Sequence, residues 1–230
     1  MLLPLAGRPM LDYLLDRIRE VDEIDEIHVV TNSRFAPIFA DWAPPDVTVH
    51  DDGTVSNEDR LGAIGDLSFT IEQAELAGED LFVVAGDNLI GYSLPDYVAF
   101  WRGKGGSAIA LYEVANRELL TEYGVVELDD DDRVIGFEEK PAQPKSHLAA
   151  TAAYLYLAKD LDLLGTYLEE GNPPDAPGNL IAWLHTRAPV YGYRFAGEWH
   201  DIGDLGQLLE ADNRLRERAG MPVRSEYLAD

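Results

Sequence analysis

The chain has 230 residues, 46% hydrophobic and 27% charged, which is the composition of a folded globular domain rather than a disordered or fibrous chain. Its net charge of −25 argues against non-specific nucleic-acid binding, because such binding needs a basic surface. No apolar stretch approaches the roughly 20 residues that a membrane-spanning helix requires, and the lack of cysteine excludes disulfides, thiolate zinc sites and cysteine nucleophiles. The opening residues also lack the basic start of a signal peptide. We therefore expect a cytoplasmic protein without nucleic-acid or membrane partners.

Helical and strand-like patterns alternate along the first 90 residues. Leu11, Leu14, Leu15 and Ile18 recur with helical spacing, which predicts an amphipathic helix entered through Pro9. The elements predicted after it are a buried strand at 27–31, a helix with Phe35, Ile38, Phe39 and Trp42 inward, a strand at 47–49, a helix at about 61–77, and a core strand at 81–85. Strands that alternate with helices indicate crossover units and a mainly parallel sheet.

The pattern changes after Asp87. The elements predicted here are a helix near 95–103, a strand at 107–112, a hairpin of 123–128 and 133–139 that turns on the run Asp129 to Asp132, a strand at 150–157, a helix with Leu161, Leu164 and Leu168, a short helix near 180–184, a strand at 190–195, and a closing helix from Leu205 to Leu215. The Asp run is interpreted as a turn rather than a metal site. Neither a repeat nor a linker divides the chain, so residues 1–230 are predicted to form one domain.

Two aspartates are candidate metal ligands. Asp87 follows the 81–85 strand, and the carboxyl ends of strands form the ligand crevice of open α/β sheets. A carboxylate there could hold Mg²⁺, although Asp87 could equally cap a turn through its own backbone. Asp201 is the natural second carboxylate, because Asp204 fits better as the cap of the closing helix.

Five sequence segments in order resemble the sugar-1-phosphate nucleotidyltransferases, the family that includes glucose-1-phosphate thymidylyl- and uridylyltransferases. These segments are Leu2 to Met10, Gly86-Asp87-Asn88, Tyr-Gly-Val-Val-Glu at 123–127, Glu-Glu-Lys-Pro at 138–141, and Trp-His-Asp-Ile-Gly at 199–203. The resemblance implies a three-layer, Rossmann-like α/β fold with a mainly parallel central sheet and a small antiparallel sugar-binding portion. It also implies Mg²⁺ as the cofactor, held by Asp87 and Asp201.

The same resemblance assigns roles to residues around the sugar phosphate. It gives the sugar hydroxyls to Glu139 and the sugar phosphate to Lys140, with Gly124, Tyr123 and Tyr154 lining the pocket. Neighbouring strand residues point to opposite faces, so Glu139 and Lys140 can reach one ligand only if the backbone is locally irregular. For both tyrosines, packing is an equal alternative.

A second group of residues is assigned to nucleotide binding. The resemblance implies that Asn57, Leu61, Gly62 and Gly86 bind the nucleotide, with the segment around Asn57 reading its base. Asn57 could instead cap the helix that begins nearby.

The resemblance also has gaps. The family opens with a strand and a Gly-rich loop that carries an Arg, followed by a Lys, and these have no counterpart in this sequence. The first strand of a doubly wound sheet often lies centrally, so its absence would leave the 27–31 and 81–85 strands unpaired or force them together. Ala152 replaces a usual glycine, and the segment at 175–179 lacks the Arg and Glu of the thymidylyltransferase type.

The implied activity is transfer of a nucleotidyl group from dTTP or UTP to a sugar 1-phosphate. No catalytic residue is identified, and the domain is expected to be truncated at its N-terminus relative to the family and nearly inactive. The alternatives are a non-catalytic module that binds sugar phosphates or nucleotide-sugars, and a metal-dependent glycosyltransferase, which the lack of an Asp-x-Asp pair disfavours. The sequence leaves open whether the chain forms a homo-oligomer.

Overall fold

The computed structural model describes residues 1–228, in which helices and strands alternate. The helices are α1 (Met10–Ile18), α2 (Ala36–Trp42), α3 (Ala63–Gln73), α4 (Leu94–Lys104), α5 (Ala158–Leu161), α6 (Leu164–Glu169), α7 (Pro177–Leu184) and α8 (Leu205–Arg218), with a 3₁₀ turn at Leu119–Glu122. The strands are β1 (Pro4–Leu5), β2 (Arg8–Pro9), β3 (Ile27–Thr31), β4 (Val47–Asp51), β5 (Leu81–Val84), β6 (Asn88–Ile90), β7 (Ser107–Glu113), β8 (Gly124–Leu128), β9 (Val134–Glu139), β10 (Leu148–Tyr156), β11 (Val190–Arg194) and β12 (Trp199–Asp201).

The largest sheet has the order β11-β7-β10-β8-β9, with β5 also paired to β10. Strand β10 runs antiparallel to β5, β7 and β8, whereas β11 runs parallel to β7. Strands β5, β7, β8 and β11 therefore share one direction, and β10 and β9 oppose it. The predicted α/β fold, with a mainly parallel sheet and a smaller antiparallel portion, is confirmed in this sense.

Helices cover both faces of this sheet. On β5, Phe82 and Val84 pack against the hydrophobic cluster that contains α1 and α4, whereas Val83 packs against the cluster of α3 and α7. This alternation follows from the two-residue period of a strand. The result is three layers, with the sheet between two layers of helices.

Strands β3 and β4 form a separate parallel pair, and β3 does not join β5 among the described residues. A cavity of about 960 Å³ lies between β3 and β5. It is lined by the consecutive residues 27–30 and 81–87. Because successive side chains of a strand point to opposite faces, lining by consecutive residues means that the cavity follows the free edge of each strand. We call this cavity the slot.

The slot corrects the prediction that the 27–31 and 81–85 strands are buried. Every residue of β3 and β5 is only partly buried. The two strands were expected either to stay unpaired along their facing edges or to join each other directly. In the part of the chain that the structure describes, these edges are unpaired.

Three further predictions are corrected. The helix predicted through Leu161, Leu164 and Leu168 is two short helices, α5 and α6. Phe35 and Ile38 are 42% and 56% exposed, because only Phe39 of α2 turns fully into the core. Helix α3 begins at Ala63 after Gly62, so the alternative that Asn57 caps this helix is wrong.

Two turn and cap predictions are confirmed. Asp204 caps α8, and its side chain accepts a hydrogen bond from the backbone N–H of Gln207 in a capping box. The Asp run forms the turn between β8 and β9, where Asp129 accepts hydrogen bonds from the N–H groups of Asp131 and Arg133. Within residues 1–228, no helix combines the length and apolar content needed to cross a bilayer.

Candidate active site

The antiparallel pairing of β6 with β12 brings the two candidate metal ligands together. Asp201 stands opposite Asn88 in this pair, and the N–H of Ile202 donates a hydrogen bond of 3.0 Å to the carbonyl of Asp87. Asp87 follows β5, and Asp201 is the last residue of β12. Two carboxylates more than a hundred residues apart in sequence therefore meet at the carboxyl end of β5.

The charges around Asp201 link the metal candidates to the sugar-phosphate candidates. Burial raises the pKa of Asp201, the neighbouring Asp87 raises it further, and Lys140 lowers it. Asp201 therefore lies within electrostatic reach of both Asp87 and Lys140. Two half-buried carboxylates that repel each other suit a divalent cation that takes one or two carboxylates and completes its shell with water and phosphate oxygens.

A site that holds the metal entirely with protein ligands is not supported. Among residues 1–228, no group of three or more His, Cys, Asp or Glu side chains could hold a metal ion. Two carboxylates are the donor set that Mg²⁺ would use if water and phosphate oxygens completed its shell. When bound, such an ion would offset negative charge that develops on phosphate oxygens.

Sequence reasoning missed the residue that orients Asp87. Asn88 is 2% exposed, its amide donates a hydrogen bond of 2.9 Å to Oδ1 of Asp87, and its side-chain oxygen accepts one from the indole of Trp199. Trp199 in turn packs edge-on against Tyr123, with ring centroids 5.1 Å apart. Asn88 is visible in the sequence as the third residue of Gly-Asp-Asn. Its partner Trp199 lies on a distant segment, and local sequence patterns cannot place the two side by side.

The irregular backbone expected at Glu139 and Lys140 is present. Lys140 has φ +46°, a left-handed conformation, and its N–H donates a hydrogen bond to the carbonyl of Tyr123. Glu139 closes β9 opposite Gly124. Partial desolvation of the Glu139 carboxylate raises its pKa, and the nearby charge of Lys140 opposes this shift.

The other sugar-phosphate candidates lie at different depths. Gly124 is buried, and a Cβ there would come within 3.1 Å of Oε2 of Glu139. Tyr123 is partly buried, and its pKa is raised by burial and then by Asp201. Tyr154 is 2% exposed and belongs to a hydrophobic core cluster. Tyr154 lines the slot, and burial raises its pKa, with a further contribution from Glu139.

The nucleotide candidates divide between an exposed loop and the slot. Asn57 is exposed, and Leu61 is partly buried. Gly62 has φ +79°, and a Cβ there would lie 2.7 Å from the carbonyl oxygen of Pro174, so its backbone conformation and its packing each require glycine without any contact to a nucleotide. Gly86 lines the slot directly before Asp87.

The sequence and the fold of this chain are similar to those of known proteins. The family model for nucleotidyl transferases matches residues 1–218. A glucose-1-phosphate adenylyltransferase of Clostridium acetobutylicum is 30% identical over 141 residues, which cover 58% of this chain and 36% of that protein. A UTP–glucose-1-phosphate uridylyltransferase of Synechocystis sp. is 29% identical over 223 residues, which cover 91% of this chain and 56% of that protein.

The fold is shared with solved structures. A UDP-glucose pyrophosphorylase complexed with UDP-glucose superimposes with a TM-score of 0.78 at 18% identity, covering 94% of this chain and 90% of that chain. At this identity the likeness shows the fold alone. The chain spans between about a third and just over half of the length of the curated relatives described above.

Proposed function

Because the chain belongs to the nucleotidyl transferase family, we propose that its site joins a sugar 1-phosphate to a nucleoside triphosphate. In this reaction an oxygen of the sugar 1-phosphate attacks the α-phosphorus of the triphosphate. The bond from that phosphorus to the pyrophosphate oxygen breaks, which gives a nucleotide-sugar and pyrophosphate. The observation that carries the proposal is the meeting of Asp87 and Asp201 at the carboxyl end of β5, with Lys140 within electrostatic reach of Asp201.

Each residue has a role that follows from its charge and place. Asp87 and Asp201 would hold Mg²⁺ against the phosphates, and Lys140 would hold the sugar phosphate through a charge-assisted contact. Glu139 would accept hydrogen bonds from sugar hydroxyls, and Gly124 would let the backbone approach the sugar. Such catalysis depends on positioning and on neutralising charge, with little covalent chemistry by the protein.

UTP is the nucleotide that we favour. The relative whose match covers most of this chain, among the two named above, is a uridylyltransferase. dTTP is the alternative, and the exposed loop with Asn57, together with Leu61, Gly62 and Gly86, is where we expect the nucleotide to bind. Since one of the proposed substrates is a nucleoside triphosphate, we expect a cytoplasmic enzyme.

The slot supports a second part of the proposal. A strand in the slot could pair with the free edges of both β3 and β5, and a Gly-rich loop after it would point backbone N–H groups at the triphosphate beside Asp87. We therefore propose that turnover needs such a strand and loop in addition to residues 1–230. Without them, the same site would act as a binding module for sugar phosphates and nucleotide-sugars.

Titration calorimetry with UDP-glucose, with and without Mg²⁺, tests the proposed site. Asp87→Asn and Asp201→Asn should each weaken the Mg²⁺-dependent part of binding, because a single carboxylate holds a phosphate-bridging ion weakly. Asp162→Asn, at an exposed position, makes the same charge change away from the site and should bind like the parent. Parent-like binding by Asp201→Asn would show that Asp201 has only a structural role.

A further inference from the structure

The carboxylate of Glu139 lies between two glycines from different elements. Gly124 opens β8, and Gly178 is the second residue of α7. A Cβ built on Gly178 would stand 2.6 Å from Oε2 of Glu139, and one built on Gly124 would stand 3.1 Å from the same atom. The carboxylate therefore occupies space that exists only because both residues lack a side chain.

Close approach, and not backbone conformation, is what requires glycine at these two positions. Neither Gly124 nor Gly178 has a positive φ. The ring of Phe137 fills the rest of the gap, since its Cζ would lie 2.5 Å from a Cβ on either glycine. Phe137 is 9% exposed, so its ring has little room to move. A methyl group added at Gly178 would therefore strain the contact with the Phe137 ring and also displace the flexible end of Glu139.

We propose that Gly178 is a positioning residue for sugar recognition. By leaving room beside the first turn of α7, it allows the Glu139 carboxylate to lie where it accepts hydrogen bonds from the hydroxyl groups of a sugar 1-phosphate. This inference rests on the proposed function, and it deepens that function by naming what selects the sugar. The phosphate would be held separately by Lys140, whose left-handed backbone allows its side chain and that of Glu139 to reach one ligand.

The separation between sugar and phosphate contacts gives a selective test. Gly178→Ala should displace the Glu139 carboxylate and weaken glucose 1-phosphate binding roughly 10- to 100-fold, the range expected when hydrogen bonds to a charged group are lost. The same variant should bind inorganic phosphate like the parent, because Lys140 is untouched. Titration calorimetry with both ligands gives the ratio of the two affinities.

The control is Gly165→Ala. Gly165 lies in the helix α6, and a Cβ there would meet nothing within 4 Å. Both substitutions exchange a helical glycine for alanine, so the control measures the general gain in helix propensity. It should leave both affinities unchanged.

Two double variants separate positioning from damage to the core. Glu139→Asp combined with Gly178→Ala retracts the carboxylate by one methylene and should restore part of the lost selectivity. Phe137→Leu combined with Gly178→Ala relieves the ring contact and should recover thermal stability without recovering selectivity.

The outcomes distinguish this inference from the function on which it rests. If the parent binds neither glucose 1-phosphate nor UDP-glucose, the proposed function fails and this inference fails with it. A second outcome is that the parent binds while Gly178→Ala weakens the binding of glucose 1-phosphate and of inorganic phosphate equally, or weakens neither. In that case the proposed function stands and the positioning role of Gly178 is overturned. A selective loss of glucose 1-phosphate that Glu139→Asp partly repairs is the result that we expect.

Discussion

Replacement of Ala152 by glycine should be nearly neutral for stability, although glycine normally weakens a strand. Ala152 has φ +51° inside β10, at an irregularity in its pairing with β7, and its carbonyl accepts a hydrogen bond of 3.0 Å from the N–H of Ala85. An L-residue in the left-handed region carries roughly 1–2 kcal/mol of strain, which glycine does not. This strain lies next to the backbone that leads into Asp87.

Ala150 provides the matched comparison. It lies in the same strand, is also partly buried, packs against the same hydrophobic cluster, and lacks a positive φ. Ala150→Gly should cost about 0.5–1 kcal/mol for backbone freedom, plus up to about 0.8 kcal/mol for the lost methyl group. Ala152→Gly has the same costs, but it also relieves the strain of the left-handed backbone. The two variants should therefore differ by roughly 1–2 kcal/mol in the free energy of unfolding.

Urea unfolding followed by tryptophan fluorescence measures this difference, and thermal melts should show it as a separation of about 2–8 °C. Ala152→Gly should lie within about 1.5 kcal/mol of the parent. If Ala152→Gly loses as much stability as Ala150→Gly, the backbone at position 152 is not strained and the reasoning is wrong.

Two further predictions concern charge. Lys140→Ala should weaken glucose 1-phosphate by roughly 1.5–3 kcal/mol and leave free glucose unchanged in calorimetry, because a charge-assisted phosphate contact has no equivalent in the neutral sugar; equal losses for both ligands would make Lys140 structural. Burial and the neighbouring Asp52 raise the pKa of Asp66 from 3.8 to about 6, and its Oδ1 is buried without a hydrogen-bond partner. The folded state therefore binds this proton more tightly than the unfolded state, so its contribution to stability is present below about pH 4 and is lost as the pH rises through about 6. Asp66→Asn should consequently raise the melting temperature at pH 7.5 more than at pH 4.5, and an equal gain at both pH values would contradict this assignment.

Most elements could be predicted from the sequence because they are local. The leucine spacing of α1, the alternation of β8 and β9 around the Asp run, and the cap at Asp204 each depend on neighbours within a few residues. The helix predicted through Leu161 and Leu168 shows the limit of local patterns. The helical spacing of the leucines continues through this segment, but the helix itself is interrupted between α5 and α6.

The site depends on contacts between distant segments, and these were only partly predictable. Each aspartate could be singled out by its place after a strand or before a capped helix. Their meeting requires β6 to pair with β12, two three-residue strands whose sequences carry no clear alternation. The roles of Asn88 and Gly178 appear only once Trp199 and Glu139 are in place beside them.

The burial of β3 and β5 was mispredicted for a related reason. Both sequences are rich in valine and other apolar residues and lack a strict polar alternation, which is typical of central strands in a parallel sheet. In the described residues each strand has only one paired edge, so the slot leaves both of them half-exposed.

Pyrophosphate release, measured with glucose 1-phosphate and either UTP or dTTP in the presence of Mg²⁺, tests the central claim most directly. We expect no appreciable turnover by residues 1–230, and turnover once an upstream strand and a Gly-rich loop are added. In the extended chain, Asp87→Asn and Asp201→Asn should each abolish this turnover. Strong turnover by the 230-residue chain alone would contradict our account of where the triphosphate is held. An extended chain that binds both substrates yet releases no pyrophosphate would contradict the proposed reaction.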